Sequence, residues 1–178
     1  MKYLLTSLKH LDNRAAVAFH QLSGNPIADR FMKLISFTAS EYAYPIYALI
    51  LYFSAPIWWK GFLITSCTGF LIEVTIQKIL KYSTKRLRPC EALVEIEALD
   101  YIPDRYSFPS GHAGGSFNVA VTATLFLGPM GALLFIWATG VSVSRVYNGV
   151  HYPGDVLFGA VLGSGATLTG YVIAGLLI

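Results

Sequence analysis

SFPSGHAGGSFNVAVTATLFLGPMGALLFIWATGVSVSRVYNGVHYPGDVLFGAVLGSGATLTGYVIAGLLI, residues 107–178, contains one basic side chain, Arg145, and one acidic side chain, Asp155. Runs this apolar that exclude charge fit a lipid bilayer, where every backbone polar group must be paired within the segment. The stretch therefore reads as helices crossing a membrane, at about 112–127, 132–147 and 155–178, with Gly128-Pro129-Met130-Gly131 as the tight turn between the first two. An ionised group near hydrocarbon is costly unless it is paired or faces a wet cavity, so Arg145 and Asp155 are functional pointers. Gly159, Gly163 and Ala166 supply the small surface that lets one helix backbone approach another.

Working back from this stretch, residues 62–81 form another apolar run, whose later half carries Glu73, Gln77 and Lys81 at four-residue steps and thus on one helical face. Glu73 either balances Lys78 or Lys81 or is a neutral packed carboxyl. A first crossing is expected at about 35–53, with Glu41 near its end or facing the bundle. Ser54-Ala55-Pro56 breaks it, and Trp58, Trp59 and Lys60 resemble an interfacial belt. Residues 3–24 have helical apolar spacing but are too polar to cross. Two placements fit them: an amphipathic helix in the membrane interface, or a helix packed on the domain.

The composition agrees. Of 178 residues, 54% are hydrophobic and 13% charged, against about 25% charged in an ordinary globular domain; mean hydropathy is +0.55. Charges interrupt the opening MKYLLTSLKHLDNR, so a cleaved signal peptide is not expected there. Cys67 and Cys90 have no framework spacing, and no CxxC or HExxH pattern points to a zinc site. The expected fold is an all-α membrane bundle with about five transmembrane helices and an N-terminal amphipathic segment within residues 1–30. It forms a single domain over residues 1–178, with 82–110 as a polar loop over the active site.

Three places fall on one membrane face: Lys81-Tyr-Ser-Thr-Lys-Arg-Leu-Arg88-Pro89, Pro109-Ser110-Gly111-His112, and Ser144-Arg145 through His151 to Asp155. Phosphoryl transfer requires charge stabilisation around the equatorial oxygens and positioning more than covalent help. Lys81, Arg88 and Arg145 can clamp a phosphate, and the arginines can do so through two bonds each. Ser110 and Gly111 open a helix whose free N–H groups favour an anion. Asp155, four residues after His151, can fix the imidazole tautomer and leave its other nitrogen free to attack phosphorus. His112 suits the general acid that protonates the leaving oxygen, and then the base for water. No metal or other cofactor is called for. Lys85 and Arg86 read as interfacial anchors rather than site residues.

The three segments match K-x6-R-P, P-S-G-H and S-R-x5-H-x3-D, and on them the chain resembles the type-2 phosphatidic acid phosphatase family. The resemblance implies a membrane lipid phosphatase in which Lys81, Arg88, Arg145, Ser110 and Gly111 bind phosphate. It also implies His112 as acid, His151 as nucleophile and Asp155 as its orienting partner. Short members act on undecaprenyl diphosphate, phosphatidylglycerophosphate, phosphatidic acid or the 1-phosphate of lipid A, which points to bacterial envelope lipid metabolism. A membrane lipid phosphate and the bilayer are then the partners, with no nucleic acid or obligatory protein. Vanadate-dependent haloperoxidases carry a similar triple signature but are soluble and larger, and a small transporter or anchor subunit would not need the His151–Asp155 pair. Glu91, Glu95, Glu97, Asp100 and Asp104 form an acidic lip that should disfavour very anionic head groups unless Arg105 offsets it. Loop charge alone would put the site in the cytoplasm. Those cations have a catalytic reason to be there, however, and the resemblance favours a periplasmic or extracytoplasmic site.

Overall fold

A computed structural model describes residues 2–54, 59–102 and 104–177. The order is α1 (Lys2–His20), α2 (Pro26–Phe37), α3 (Ala43–Ser54), α4 (Trp59–Thr84), α5 (Pro89–Ala92), α6 (Gly111–Leu127), α7 (Pro129–Ala132), α8 (Leu134–Tyr147) and α9 (Pro153–Leu177). The chain is an all-α, multi-pass membrane protein. Trp59–Thr84, Pro129–Tyr147 and Pro153–Leu176 are long and apolar enough to cross a bilayer, and Ala43–Phe53 is a shorter apolar helix.

α6 is the central element, packed against α4, α8 and α9. Its sequence explains this place: Ala113, Gly114, Gly115, Ser116, Ala120 and Ala123 are all buried and small. The expected role of the α9 glycines is borne out. A side chain on Gly163 would collide with the backbone of Gly114, and one on Gly159 with the carbonyl of Ser110. Farther along, α9 crosses α4 at Gly170, where an added carbon would lie 2.7 Å from the Gly69 nitrogen. Several polar side chains in this packing are satisfied locally. Asn118 and Ser66 pair between α6 and α4, and the Thr122 and Thr167 hydroxyls donate to carbonyls one turn back. Glu73 is buried without an ion pair or hydrogen bond, which favours the packed carboxyl over a partner for Lys81.

The expected crossing over 35–53 is divided. α2 stops at Phe37, a turn follows, and α3 begins at Ala43, with Glu41 exposed in the turn. Thr38 turns its hydroxyl onto the Ile35 carbonyl and accepts from the Trp137 indole, while the Tyr47 hydroxyl takes the Thr38 carbonyl. These bonds replace the helical ladder and leave Ser36 facing the functional end of the bundle. The N-terminal 1–30 segment likewise divides, because Asn25 caps α2 through Ile27 N and Ala28 N and Pro26 fits the first helical position. α1 packs on the bundle by one side and leaves the other exposed: Ala16 is buried with Ile96 and Tyr152, whereas Leu8 and Leu11 are exposed. The Gly128–Gly131 turn coils into α7, with Gly128 at φ 60°. Trp59 and Lys60 open α4, with the ammonium 5.7 Å from the indole. Ala55, Pro56 and Trp58 of the expected break and belt, and Pro103, lie outside the described residues.

The contact of Gly163 with backbone rather than with a movable side chain leaves α6 and α9 no way to absorb a methyl group. Gly163→Ala should lower the thermal stability of the detergent-solubilised protein by about 1–3 kcal/mol, while Gly165→Ala, where nothing lies within 4 Å, should cost less than about 0.5 kcal/mol. Equal effects would contradict this packing.

Candidate active site

The three signature segments meet. The Ser110 N–H donates to the Asp155 carbonyl (3.1 Å), and the Ser107 N–H donates to the Arg86 carbonyl (2.8 Å), so the start of α6 is tied to both the α4–α5 connection and the first turn of α9. Arg88, at the N-terminus of α5, is fully buried. Its Nε donates to the Asp104 carbonyl (2.8 Å), one Nη to the Val150 carbonyl (2.8 Å) and the other to Asp104 Oδ1 (2.8 Å).

The Val150-bound Nη also lies 3.1 Å from His151 Nε2. A guanidinium has only donors, so Nε2 must accept there, and the ring proton belongs on Nδ1. That proton faces Asp155. The Nδ1–Oδ2 separation is 3.6 Å, too long for a hydrogen bond, so Asp155 stands as an electrostatic neighbour rather than the bonded partner the sequence suggested. Burial, reinforced by Arg88, Arg145 and Lys81, holds the His151 pKa well below the usual histidine range. His151 is therefore a neutral imidazole with its lone pair on Nε2.

The Asp155 carboxylate is itself fixed from two sides. Its Oδ2 accepts the Tyr152 N–H (3.0 Å) at the start of α9, in the manner of a capping box, and its Oδ1 accepts from Arg86 (2.8 Å). Arg86 also binds Asp12 of α1 (2.6 Å) and stacks at 3.8 Å on the Tyr152 ring; Asp12 in turn accepts the Gly154 N–H (2.8 Å). This corrects the reading of Arg86 as an interfacial anchor. Lys85 is exposed, as that reading requires.

Lys81, near the end of α4, is buried and bonds Asp104 Oδ2 (2.5 Å). Arg145, in the last turn of α8, bonds Ser36 (2.5 Å) and Asp100 (2.6 Å), with its Nε unpaired. Ser110 caps α6, and its hydroxyl faces the Ala113 N–H. Gly111 leaves room for the Gln77 amide, which a methyl group there would strike. His112, next in α6, is half-buried. The acidic lip is also revised. Glu91, Glu95 and Glu97 are exposed, but Asp100 and Asp104 turn inward onto the clamp cations, which depress the Asp104 pKa against its own burial. Asp12, Ser36, Arg86, Asp100 and Asp104 were not legible as site residues, since their partners lie 45 or more positions away, or, for Asp104, across an irregular loop.

The sequence pattern of the PAP2 superfamily matches residues 61–176, which take in all three segments. The chain belongs to the PAP2 superfamily. It is a membrane phosphatase of that family. An undecaprenyl-diphosphatase from Sulfolobus acidocaldarius is 34% identical over 82% of this chain and 71% of its own length. A lipid A 4'-phosphatase from Bacteroides thetaiotaomicron is 31% identical over 96% and 80%. Among solved structures, Aquifex aeolicus LpxE superposes with a TM-score of 0.75 at 25% identity, covering 87% of this chain and 91% of that one. The PAP2-type phosphatidylglycerolphosphate phosphatase of Bacillus subtilis shares the fold, with a TM-score of 0.76 over 97% and 88%.

The Asp12–Arg86–Asp155 chain ties the N-terminal helix to the site. In a double-mutant cycle on unfolding, Asp12→Asn and Arg86→Gln should show a coupling of about 1–2 kcal/mol. Strict additivity would mean that the contact does not hold α1 in place.

Proposed function

We propose that this PAP2 protein hydrolyses the terminal phosphate of a membrane lipid through a phosphohistidine on His151. The observation that carries this reading is a neutral imidazole whose acceptor nitrogen lies 3.1 Å from the buried Arg88, within a cluster that includes Lys81 and Arg145. Such a cluster suits an anion. Lys81, Arg88 and Arg145 would take the equatorial phosphate oxygens, with Ser110 and the N–H of Gly111 at the start of α6 assisting. His151 Nε2 attacks phosphorus, the bond to the lipid oxygen breaks, and His112, as the imidazolium that the bound phosphate's negative charge stabilises, gives that oxygen a proton. Asp155 steadies the positive ring that results. Water, deprotonated by His112, then attacks phosphorus, and the N–P bond breaks to release inorganic phosphate and His151.

A lipid substrate is supported by the surroundings. An apolar cavity of about 560 Å³ lies between α3, α4, α6 and α8, lined by Tyr44, Leu51, Phe62, Phe70, Val119 and Trp137. It reaches Gly115, one turn along α6 from His112, so a long hydrocarbon tail could lie within the bundle while its phosphate meets the clamp. The relatives named for undecaprenyl diphosphate and lipid A share that chemistry: a terminal phosphate on a large apolar anchor. We infer a lipid phosphate or diphosphate of the cell envelope, presented at the extracytoplasmic face.

His151→Ala should reduce phosphate release from lipid phosphates by at least about 10⁴-fold with the fold retained; substantial residual activity would refute the nucleophile. For the membrane face, a cysteine placed in residues 91–100 of a variant lacking Cys67 and Cys90 should react with an impermeant thiol reagent on intact cells. Labelling only after lysis would put the site in the cytoplasm.

A further inference from the structure

Asp104 is bound as a phosphate would be. One carboxylate oxygen takes Lys81 and the other takes Arg88, the same guanidinium that touches His151 Nε2. The two cations are almost inaccessible, with 11% and 1% of their side chains exposed, whereas the Asp104 side chain is 44% exposed. The acid therefore closes the cluster from the solvent side, on an irregular stretch of chain. Asp100 differs: its carboxylate is held by Ser36, Arg145, the Asn148 amide and the N–H of Tyr101, a set that fixes it in place.

We propose that the Asp104 carboxylate occupies the phosphate seat in the free protein and is displaced by substrate, making Asp104 a specificity residue that admits terminal phosphates and rejects phosphodiesters. The argument rests on the phosphatase reading above and on charge. A membrane surrounds the site with phosphodiester head groups, each carrying one negative charge. Against a carboxylate that already bridges both cations with one charge, a phosphodiester gains little by exchange. A phosphomonoester brings nearly two charges and three terminal oxygens, enough to engage Lys81, Arg88 and Arg145 together. Arg145 has an unpaired Nε–H, so it can donate to a further oxygen without leaving Asp100. Without the carboxylate, the clamp would bind bulk lipid head groups and be blocked by the membrane it sits in.

The test measures inhibition of lipid-phosphate hydrolysis by orthophosphate, and by phosphatidylglycerol added to the detergent micelles. Relative to wild type, Asp104→Asn should bind orthophosphate about fivefold more tightly, the upper end of what removing one half-exposed ion-pair competitor gives. It should also become competitively inhibited by phosphatidylglycerol, to which wild type is indifferent. Asp104→Ser, measured alongside, decides the matter if the first variant misfolds. Glu95→Gln removes the same charge from the same loop without vacating the seat, and should leave both constants within about twofold. Unchanged or weaker orthophosphate inhibition in the Asp104 variants, or an equal gain in Glu95→Gln, overturns the proposal. A wild-type protein with no hydrolysis and no orthophosphate binding would instead overturn the phosphatase reading itself.

Discussion

Arg88 is the residue on which the site depends. A guanidinium with no exposure to water must place its donors on acceptors, and here those acceptors come from two distant loops and the imidazole itself. By bonding the Val150 carbonyl it fixes the loop that carries His151. By bonding Asp104 it draws down the loop over the site. Its charge also adds to the burial that holds the His151 pKa down, so one buried cation bears on position, cover and protonation together.

The bundle is arranged to keep that cation in place. The small residues of α6 let α9 pack so closely that Ser110 meets the backbone of Asp155, which joins the start of one helix to the first turn of the other, just after the histidine loop. Gly149, with φ +73°, makes the turn before His151 possible, and a side chain there would strike Ile96 and the Glu97 carbonyl. The Gly149 carbonyl then accepts from Cys90, tying the loop to the segment next to Arg88. Specificity and chemistry thus depend on backbone contacts that only small residues permit.

Much of this was legible in the sequence. The three segments carrying Lys81, Arg88, Ser110, His112, Arg145, His151 and Asp155 are compact, and their residue types suit phosphate chemistry wherever helices bring them together. The apolar runs of α4, α8 and α9 are long enough to announce themselves. The division of 35–53 was harder to see, because the turn at 38–42 is made by Thr38 bonding to Ile35 and to Trp137, a partner far along the chain. Arg86 looked like an anchor because its partners, Asp12 and Asp155, are remote. Asp100 and Asp104 looked like a repelling lip because composition gives the sign of a loop and not the direction in which its side chains turn.

The central claim is a covalent phosphoryl group on His151 Nε2. Rapid acid-free quenching of the protein during turnover of a radiolabelled lipid phosphate, followed by peptide mapping, tests it most directly. A base-stable, acid-labile phosphoryl group on the peptide containing His151, absent from His151→Ala, is the predicted result. Active turnover with no phosphoprotein, or with label on another residue, would contradict the account.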